Sequence, residues 1–350
     1  MPSRPTVKDV AEAAGVSVAT VSRALSGTRA VRPELRDLVV RAAEELGYRP
    51  HSIAQALRRS RSGAIGMVVP EIENPFFPQL VGHAERILQE RGLALLLCSS
   101  GDDPAVEAQR IAVLAERQID GLLISPCSQE GSAPALAEIA QSLPVVQFDE
   151  RVPSVETAYV GVDDVAGITD VIAHLVSTGS RRLAFIGAGS DTWSGRRRRE
   201  GFEQWARESD PEALERMELG DFSREFGRTA ALRLLAEDPA IDAIVCANDL
   251  LAIGALDAAG ERGIDVPGAL ALTGFDDINV ATVARPSLTT VRQPTAAIVE
   301  RAVELLLAAI DGADTQDEDV RLPVELVVRE SAPGAAQSRR PAVQASSSAP

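Results

Sequence analysis

Residues 6–25 encode two short helices separated by a glycine, and this pattern limits the possible folds more than any other feature. Thr6 is a helix-capping residue type, and Asp9 follows three positions later, as in a capping box. Gly15 can adopt the left-handed conformation that ends a helix, and Ser17 can cap the next one. Apolar residues at helical spacing give the pair an inward face, formed by Val10, Ala14, Val16, Val21 and Leu25. The pattern predicts a helix-turn-helix, whose second helix fits the major groove of DNA.

The outer face of the second helix carries the side chains that would contact DNA. Thr20 and Ser22 are short donors suited to phosphate oxygens, whereas Arg23 can bind guanine O6 and N7 in a bidentate manner. Any small helical hairpin has the same apolar spacing, so the DNA interpretation depends on this outer face. The predicted DNA contacts of the helix pair are Thr6, Ser17, Val18, Ala19, Thr20, Ser22 and Arg23.

The distribution of charge separates the start of the chain from the rest. The 350 residues carry a net charge of −16, which by itself argues against binding to nucleic acid. Residues 1–62, however, hold eleven Lys and Arg against six Asp and Glu, a net charge of +5. The remaining 288 residues hold 24 basic and 45 acidic side chains, a net charge of −21. This asymmetry is typical of a basic nucleic-acid-binding segment attached to an acidic body.

A third helix and a basic segment follow the pair. The helix is predicted from Pro33 to Leu46, with Gly47 as its end and Tyr48 packed behind it. Its apolar stripe consists of Leu35, Leu38, Val39, Ala42 and Leu46. Residues 51–62 are rich in arginine and serine and predict a marginal hinge helix at 53–58. Leu57 beside three arginines suits either a minor-groove wedge or packing against a partner subunit.

From residue 63 onward, short apolar runs alternate with helical stretches in two successive series. The runs include 64–69, 145–148, 158–162 and 243–246, and one of the helices is predicted near 196–208. Such alternation is typical of buried parallel strands and predicts two doubly wound α/β lobes. We divide the chain into a head (1–50), a hinge (51–62), a core (63–330) and a disordered tail (331–350). Within the core, lobe 1 is predicted at 63–162 plus 294–320 and lobe 2 at 163–292 plus 321–330, with one strand near 320–329.

Polar side chains gather where the predicted strands end. Asp149, Asp163, Asn248 and Asp276 each follow an apolar run directly. Any one of them can be an N-cap of the following helix, but ligands of open α/β sheets bind beyond the carboxyl ends of the strands. Two such edges facing each other predict a cleft with carboxylates, amides and aromatic rings. That lining suits a small polyhydroxyl ligand.

Two other classes of protein are disfavoured. An enzyme on a doubly wound sheet would need catalytic groups, but the three histidines lie far from Ser/Asp pairs and from metal-ligand spacing. Gly187 and Gly189 lack the third glycine of a dinucleotide site, because position 192 is Thr. A transport solute-binding protein would carry a signal peptide, and no apolar stretch follows the first residues. The sequence predicts a cytoplasmic, nucleoid-associated protein without cofactor, metal or membrane span, whose three cysteines are free thiols.

The chain resembles the lactose/galactose-repressor (LacI-type) family of bacterial transcription factors along residues 5–330. The matching motifs are specific: Val7–Ala11, Gly15–Arg23, Leu46–Pro50, Asn74–Phe77, Ala247–Asp249, Gly274–Asp277 and Pro286–Pro294. The resemblance implies a repressor that binds a pseudopalindromic operator as a homodimer. It also implies a periplasmic-binding-protein-like core that is controlled allosterically by a small effector between its lobes.

The resemblance further assigns roles to single residues. Val18, Ala19 and Arg23 would read bases, and His51, Ala54 and Leu57 would contact DNA from the hinge, with Leu57 inserted at the central step. The implied effector site comprises Phe76, Phe77, Asp149, Arg196, Phe222, Asn248, Asp276 and Gln293. Similarity to sugar-responsive members favours a sugar, and the alternative is a purine or another non-sugar effector. Because of Trp193 and the basic run Arg196–Arg199, an anionic effector remains a further alternative.

Overall fold

The computed structural model describes residues 5–26, 31–48, 61–189 and 191–334. The chain divides into two compact units, a helical head and an α/β body. In the part of the chain that the structure describes, no helix is both long and apolar enough to cross a membrane. The predicted hinge helix at 53–58, with His51, Ala54 and Leu57, lies outside the described residues.

The head contains three helices, namely α1 (Val7–Ala13), α2 (Val18–Ser26) and α3 (Pro33–Glu45). Gly15 and Gly47 both adopt the left-handed conformation, with φ of +63° and +64°, which confirms their predicted roles as helix ends. Val10, Val21 and Val39 are fully buried and form the centre of the small core. The prediction was wrong for two residues of the α3 stripe, because Leu38 and Leu46 are 40% and 39% exposed.

The first lobe of the body is built on a six-stranded sheet in the order β11-β5-β4-β3-β1-β2. The pairs β1–β3, β3–β4, β4–β5 and β5–β11 are parallel. Its strands are β1 (Ala64–Val69), β2 (Ala94–Ser99), β3 (Gly121–Ile124), β4 (Val145–Phe148), β5 (Ala158–Val162) and β11 (Asp319–Leu322). Its helices are Phe76–Glu90, Pro104–Glu116, Ala133–Ile139 and Thr295–Ile310.

The second lobe repeats the plan, with the strand order β12-β10-β9-β8-β6-β7. All pairs in this sheet are parallel except the antiparallel pair β10–β12. Its strands are β6 (Leu183–Ala188), β7 (Met217–Gly220), β8 (Ala243–Cys246), β9 (Ala271–Asp276), β10 (Thr289–Arg292) and β12 (Glu325–Val327). Its helices are Asp164–Thr178, Trp193–Ser209, Arg224–Glu237, Asp249–Glu261 and Asn279–Val283, with a 3-10 turn at Pro211–Glu215. The predicted fold class, two doubly wound sheets behind a helical head, is confirmed.

The chain passes between the lobes three times: after β5, after β10 and after β11. The prediction of a single strand near 320–329 was wrong, because this segment contains two strands, β11 and β12, which belong to different sheets. The first lobe therefore extends to Leu322, two residues beyond the predicted boundary. The predicted tail also begins too early. Ser331 is fully buried, and its hydroxyl accepts from the amide of Thr289 at 2.8 Å and donates to the carbonyl of Leu272.

Two helices of the second lobe pack with almost no space between their backbones. A β-carbon at Gly254 would overlap the backbone oxygen of Arg224, and one at Gly227 would overlap that of Leu251. Glycine is required here because the neighbouring atoms are main chain and cannot rotate away. Gly260, in the same helix as Gly254, faces open space.

Gly254→Ala should therefore destabilise the body, whereas Gly260→Ala should not. Overpacking of a tight contact costs about 1–3 kcal/mol, while alanine in an open helical site gains about 0.5–1 kcal/mol over glycine. Urea denaturation of both variants measures the difference in the free energy of unfolding. Equal stability of the two variants would contradict the close approach of the helices.

Candidate functional site

A cavity of about 500 Å³, including its opening to solvent, lies between the carboxyl ends of the two sheets. Its aromatic side is formed by Phe76, Phe77 and Phe222. The polar lining consists of Glu71, Asn74, Asp102, Asp149, Glu150, Thr192, Ser194, Arg198, Asn248 and Asp276. Six of the eight residues that were predicted to contact an effector line this cavity, namely Phe76, Phe77, Asp149, Phe222, Asn248 and Asp276.

The predicted arginine was wrong by two positions, because the cavity is lined by Arg198 and not by Arg196. The sequence predicted a helix from residue 196, whereas the helix begins at Trp193. Ser194 and Arg198 are one turn apart on its buried face. At about 100° per residue, Arg196 points to a different side, where it pairs with Glu200 at 3.8 Å.

Arg198 ties three parts of the second lobe together below the cavity. Its Nε donates to Asp164 at 2.8 Å, and its Nη1 donates to the carbonyl of Ala247 at 2.9 Å and to Asp276 at 3.5 Å. The guanidinium lies 3.8 Å from the centre of the Phe275 ring. Arg198 is thus held by two carboxylates, and its side chain is only 4% exposed. Its charge is already compensated before any ligand enters.

Two aspartates of the lining have unusual backbone conformations. Asp149 directly follows β4 and Asp276 is the last residue of β9, and their φ values are +60° and +111°. Non-glycine residues with positive φ are uncommon and often occur at functional sites. Burial raises the pKa of Asp276 to about 6, although Arg198 and Gln293 act to lower it. Burial and the adjacent Glu150 raise the pKa of Asp149 well above its ordinary range.

Gln293 does not line the cavity but supports it from behind. Its Nε2 donates to Asp276 at 2.8 Å, and its buried Oε1 has no hydrogen-bond partner among the described residues.

Asn248 combines both roles considered from the sequence. It lines the cavity, and its Oδ1 caps the following helix by accepting from the amide of Leu251 at 2.9 Å. Asp163 only caps a helix, through the amide of Ala166 at 3.1 Å.

Glu150 was missed from the sequence and connects the two lobes. It follows β4 of the first lobe and accepts hydrogen bonds from the amides of Trp193 and Ser194, at 2.6 and 3.2 Å, and from the Ser194 hydroxyl. A first-lobe carboxylate thereby caps a second-lobe helix, where negative charge is favoured by the helix dipole. Burial nevertheless raises the pKa of Glu150 to about 7. No local motif marks such a contact, because the partners lie more than 40 residues apart.

In the head, α2 presents the predicted outer face. Val18, Ala19 and Arg23 are exposed, and Ser22 is half-buried. The hydroxyls of Ser17 and Thr20 hydrogen-bond each other at 2.9 Å, and the Thr20 amide donates to Ser17 at 3.2 Å, which confirms the predicted cap. At the start of α1, the amide and hydroxyl of Thr6 donate to Asp9 at 2.6 and 2.8 Å.

The Glu150 contact predicts a pH effect on stability. Because its pKa is 4.5 when unperturbed and about 7 in the fold, the folded protein binds more protons between these values. Glu150 therefore destabilises the fold progressively as pH rises through this interval, by up to about 3 kcal/mol. The free energy of unfolding is measured by urea denaturation across this pH interval. In Glu150→Gln it should fall less steeply with rising pH than in the wild type. The exposed Glu156→Gln is the control, and parallel pH curves for wild type and Glu150→Gln would refute the effect.

Comparison with known proteins matches both units of the chain. Residues 6–51 match the family model "Bacterial regulatory proteins, lacI family", and residues 172–332 match "Periplasmic binding protein-like domain". The regulator DegA of Bacillus subtilis is 34% identical over 331 residues, covering 94% of this chain and 98% of DegA. The repressor PurR of Mannheimia succiniciproducens is 31% identical and covers 93% and 98%. The ribose operon repressor of Halalkalibacterium halodurans is 32% identical and covers 95% and 98%.

Two solved structures have the same fold over almost the whole chain. The transcriptional regulator CelR in its cellobiose complex is 32% identical, with a TM-score of 0.70, and covers 94% of this chain and 100% of CelR. The Lac repressor dimer bound to operator and the anti-inducer ONPF is 24% identical, with a TM-score of 0.84, and covers 95% and 100%. These relatives are transcriptional regulators and not enzymes. The chain belongs to the LacI family of bacterial regulatory proteins.

Proposed function

We propose that this protein is a repressor that binds a pseudopalindromic operator as a homodimer and responds to a neutral polyhydroxyl effector in the cleft. It acts in the cytoplasm, on the nucleoid. The observation that carries the effector class is the charge of the cavity. Arg198 is the one cationic side chain among the described lining residues, and carboxylates already compensate it.

The DNA-binding part of the proposal is supported by the outer face of α2. Val18 and Ala19 offer only apolar contacts, so Arg23 supplies most of the hydrogen-bonding capacity toward bases. A single head with so few contacts should bind weakly and with limited selectivity. Two heads on two half-sites supply the specificity, and His51, Ala54 and Leu57 of the hinge would contact DNA between them.

The effector part is supported by the pairing of acceptors with aromatic rings. Asp149, Asp276 and Glu150 offer oxygen acceptors for hydroxyl groups, and three phenylalanines offer faces for a sugar ring. An anionic ligand would meet more carboxylates than cations at this site. The CelR structure is a complex with cellobiose, which supports a sugar. A purine base is the alternative effector, because repressors named PurR are among the relatives.

The proposal is tested with an operator selected from random duplex DNA by the purified full chain. Operator affinity and the thermal midpoint are then measured with ribose, cellobiose, hypoxanthine and glucose 6-phosphate. We expect a neutral sugar to shift both quantities. A response to hypoxanthine alone would replace the sugar by a purine, and failure to select any operator would overturn the repressor assignment.

Arg198 should be required for the effector response. Arg198→Gln leaves Asp164 and Asp276 without their cation, so a sugar that shifts the wild-type midpoint should no longer do so. Phe222→Ala, at the half-buried aromatic side, should weaken the same response without disturbing buried charges. Arg199→Gln, one position along and paired with Glu203, is the matched control. An unchanged response in both Arg198→Gln and Phe222→Ala would exclude the cavity as the effector site.

Arg23 should read one base pair in each half-site. Arg23→Ala is expected to weaken operator binding by about 1–3 kcal/mol and to relax the preference at that base pair. Competition between operators substituted at each position measures the effect. The exposed Arg41→Ala, on α3, is the control. A uniform loss across all DNA sequences would indicate a phosphate contact instead of base reading.

A further inference from the structure

A cluster of arginines surrounds Trp193 outside the cleft, and neither the effector site nor the DNA-binding helix uses it. The guanidinium carbon of Arg196 lies 5.0 Å from the centre of a Trp193 ring. Those of Arg151, Arg197 and Arg321 each lie 5.8 Å from it. We call these four arginines and Trp193 the Trp193 cluster. Cation–π attraction to the indole offsets part of the repulsion among the four charges.

The cluster is formed by both lobes. Arg151 lies in the loop after β4, and Arg321 lies on β11, so both belong to the first lobe. Trp193, Arg196 and Arg197 lie within the first five residues of a second-lobe helix. A ligand held by all of them would contact both lobes at once, at a place where the chain crosses between them.

The four arginines of the cluster share few direct ion-pair partners. Asp319 accepts hydrogen bonds from the two first-lobe arginines, and Glu200 pairs with the two arginines of the helix. Three more carboxylates are close but are bound elsewhere: Asp163 caps a helix, Asp164 holds Arg198, and Glu150 accepts from the amide of Trp193. Among the described residues, the four guanidiniums thus form direct ion pairs with two carboxylates only.

One donor of the cluster lacks an acceptor, and a second has only a distant one. The buried Nε of Arg151 donates no hydrogen bond to any residue that the structure describes, and the buried Nε of Arg196 lies 3.8 Å from Glu200, beyond hydrogen-bond distance. Leaving a buried donor unsatisfied is unfavourable, and an oxyanion offers it acceptor oxygens. The arginine side chains are still accessible, with exposed fractions of 21% for Arg151 and 34% for Arg196.

We propose that the Trp193 cluster is a second ligand site, which binds the phosphate group of a phosphorylated small molecule. Guanidinium groups match the geometry of phosphate oxygens and bind them in a bidentate manner. The site is separate from the cleft, whose acidic lining suits a neutral ligand. Because both lobes supply arginines, the bound phosphate bridges the lobes and changes operator affinity independently of the cleft effector.

The test uses fluorescence of the full chain, which contains two tryptophans. Trp205→Phe leaves Trp193 as the only tryptophan and hence as a reporter at the site. Inorganic phosphate, glucose 6-phosphate and glucose are titrated at constant ionic strength, which is maintained with chloride. We expect saturable changes with both phosphate-bearing probes and none with glucose. Comparison of the two dissociation constants shows whether free phosphate or a phosphate ester binds more tightly.

Substitutions then assign the response to the cluster. In the Trp205→Phe background, Arg151→Gln and Arg321→Gln should each weaken phosphate binding by about tenfold or more. Arg224→Gln, an exposed arginine paired with Asp257, is the control. Circular dichroism shows whether Arg151→Gln folds. If it does not, Arg151→Lys, which keeps the charge, is used in its place. A linear response, an equal response to chloride, or full affinity in both Gln variants would overturn the proposal.

Discussion

The buried ion cluster around Arg198 determines the shape of the cleft. One guanidinium holds the start of the helix after β5 through Asp164, the end of β8 through Ala247 and the end of β9 through Asp276. Charges this deeply buried are tolerated only as a set, because loss of one partner leaves another uncompensated. The strained backbone at Asp276 persists because the same contacts hold it. The cluster thereby positions Asp276, an oxygen acceptor on the second-lobe side of the cavity.

The acidic cleft and the basic Trp193 cluster lie on different faces of one helix. Helical periodicity divides the run Arg196–Arg199 into three environments, because successive residues point about 100° apart. Arg198 enters the cleft, Arg196 and Arg197 contact Trp193, and Arg199 pairs with Glu203. A run that looks like a single patch of positive charge in the sequence is therefore three separate interactions in the fold.

Sequence patterns predicted most of the fold, since β1, β4, β5 and β8 are continuous apolar runs with the same bounds in the structure. β10 and β12 were not predicted as separate strands, because they are short and depend on pairing with neighbours distant in sequence. Asp149, Asn248 and Asp276 were predicted because they stand at the ends of apolar runs, whereas the three phenylalanines of the cleft came from the family resemblance. Arg198 was missed because the resemblance pointed to Arg196 in a run of four arginines, where only the helical phase decides which one faces the cleft. Glu150 was missed because its partners are fixed only when two lobes meet.

The three crossings between the lobes have a consequence for synthesis of the protein on the ribosome. The sheet of the first lobe needs β11, at residues 319–322, and the second lobe needs Ser331. Neither lobe is complete until almost the whole chain has emerged, which takes tens of seconds at about 5–20 residues per second. The head needs only residues up to Tyr48 for its own core. A nascent chain thus has a finished DNA-binding head long before it has a cleft that responds to its effector.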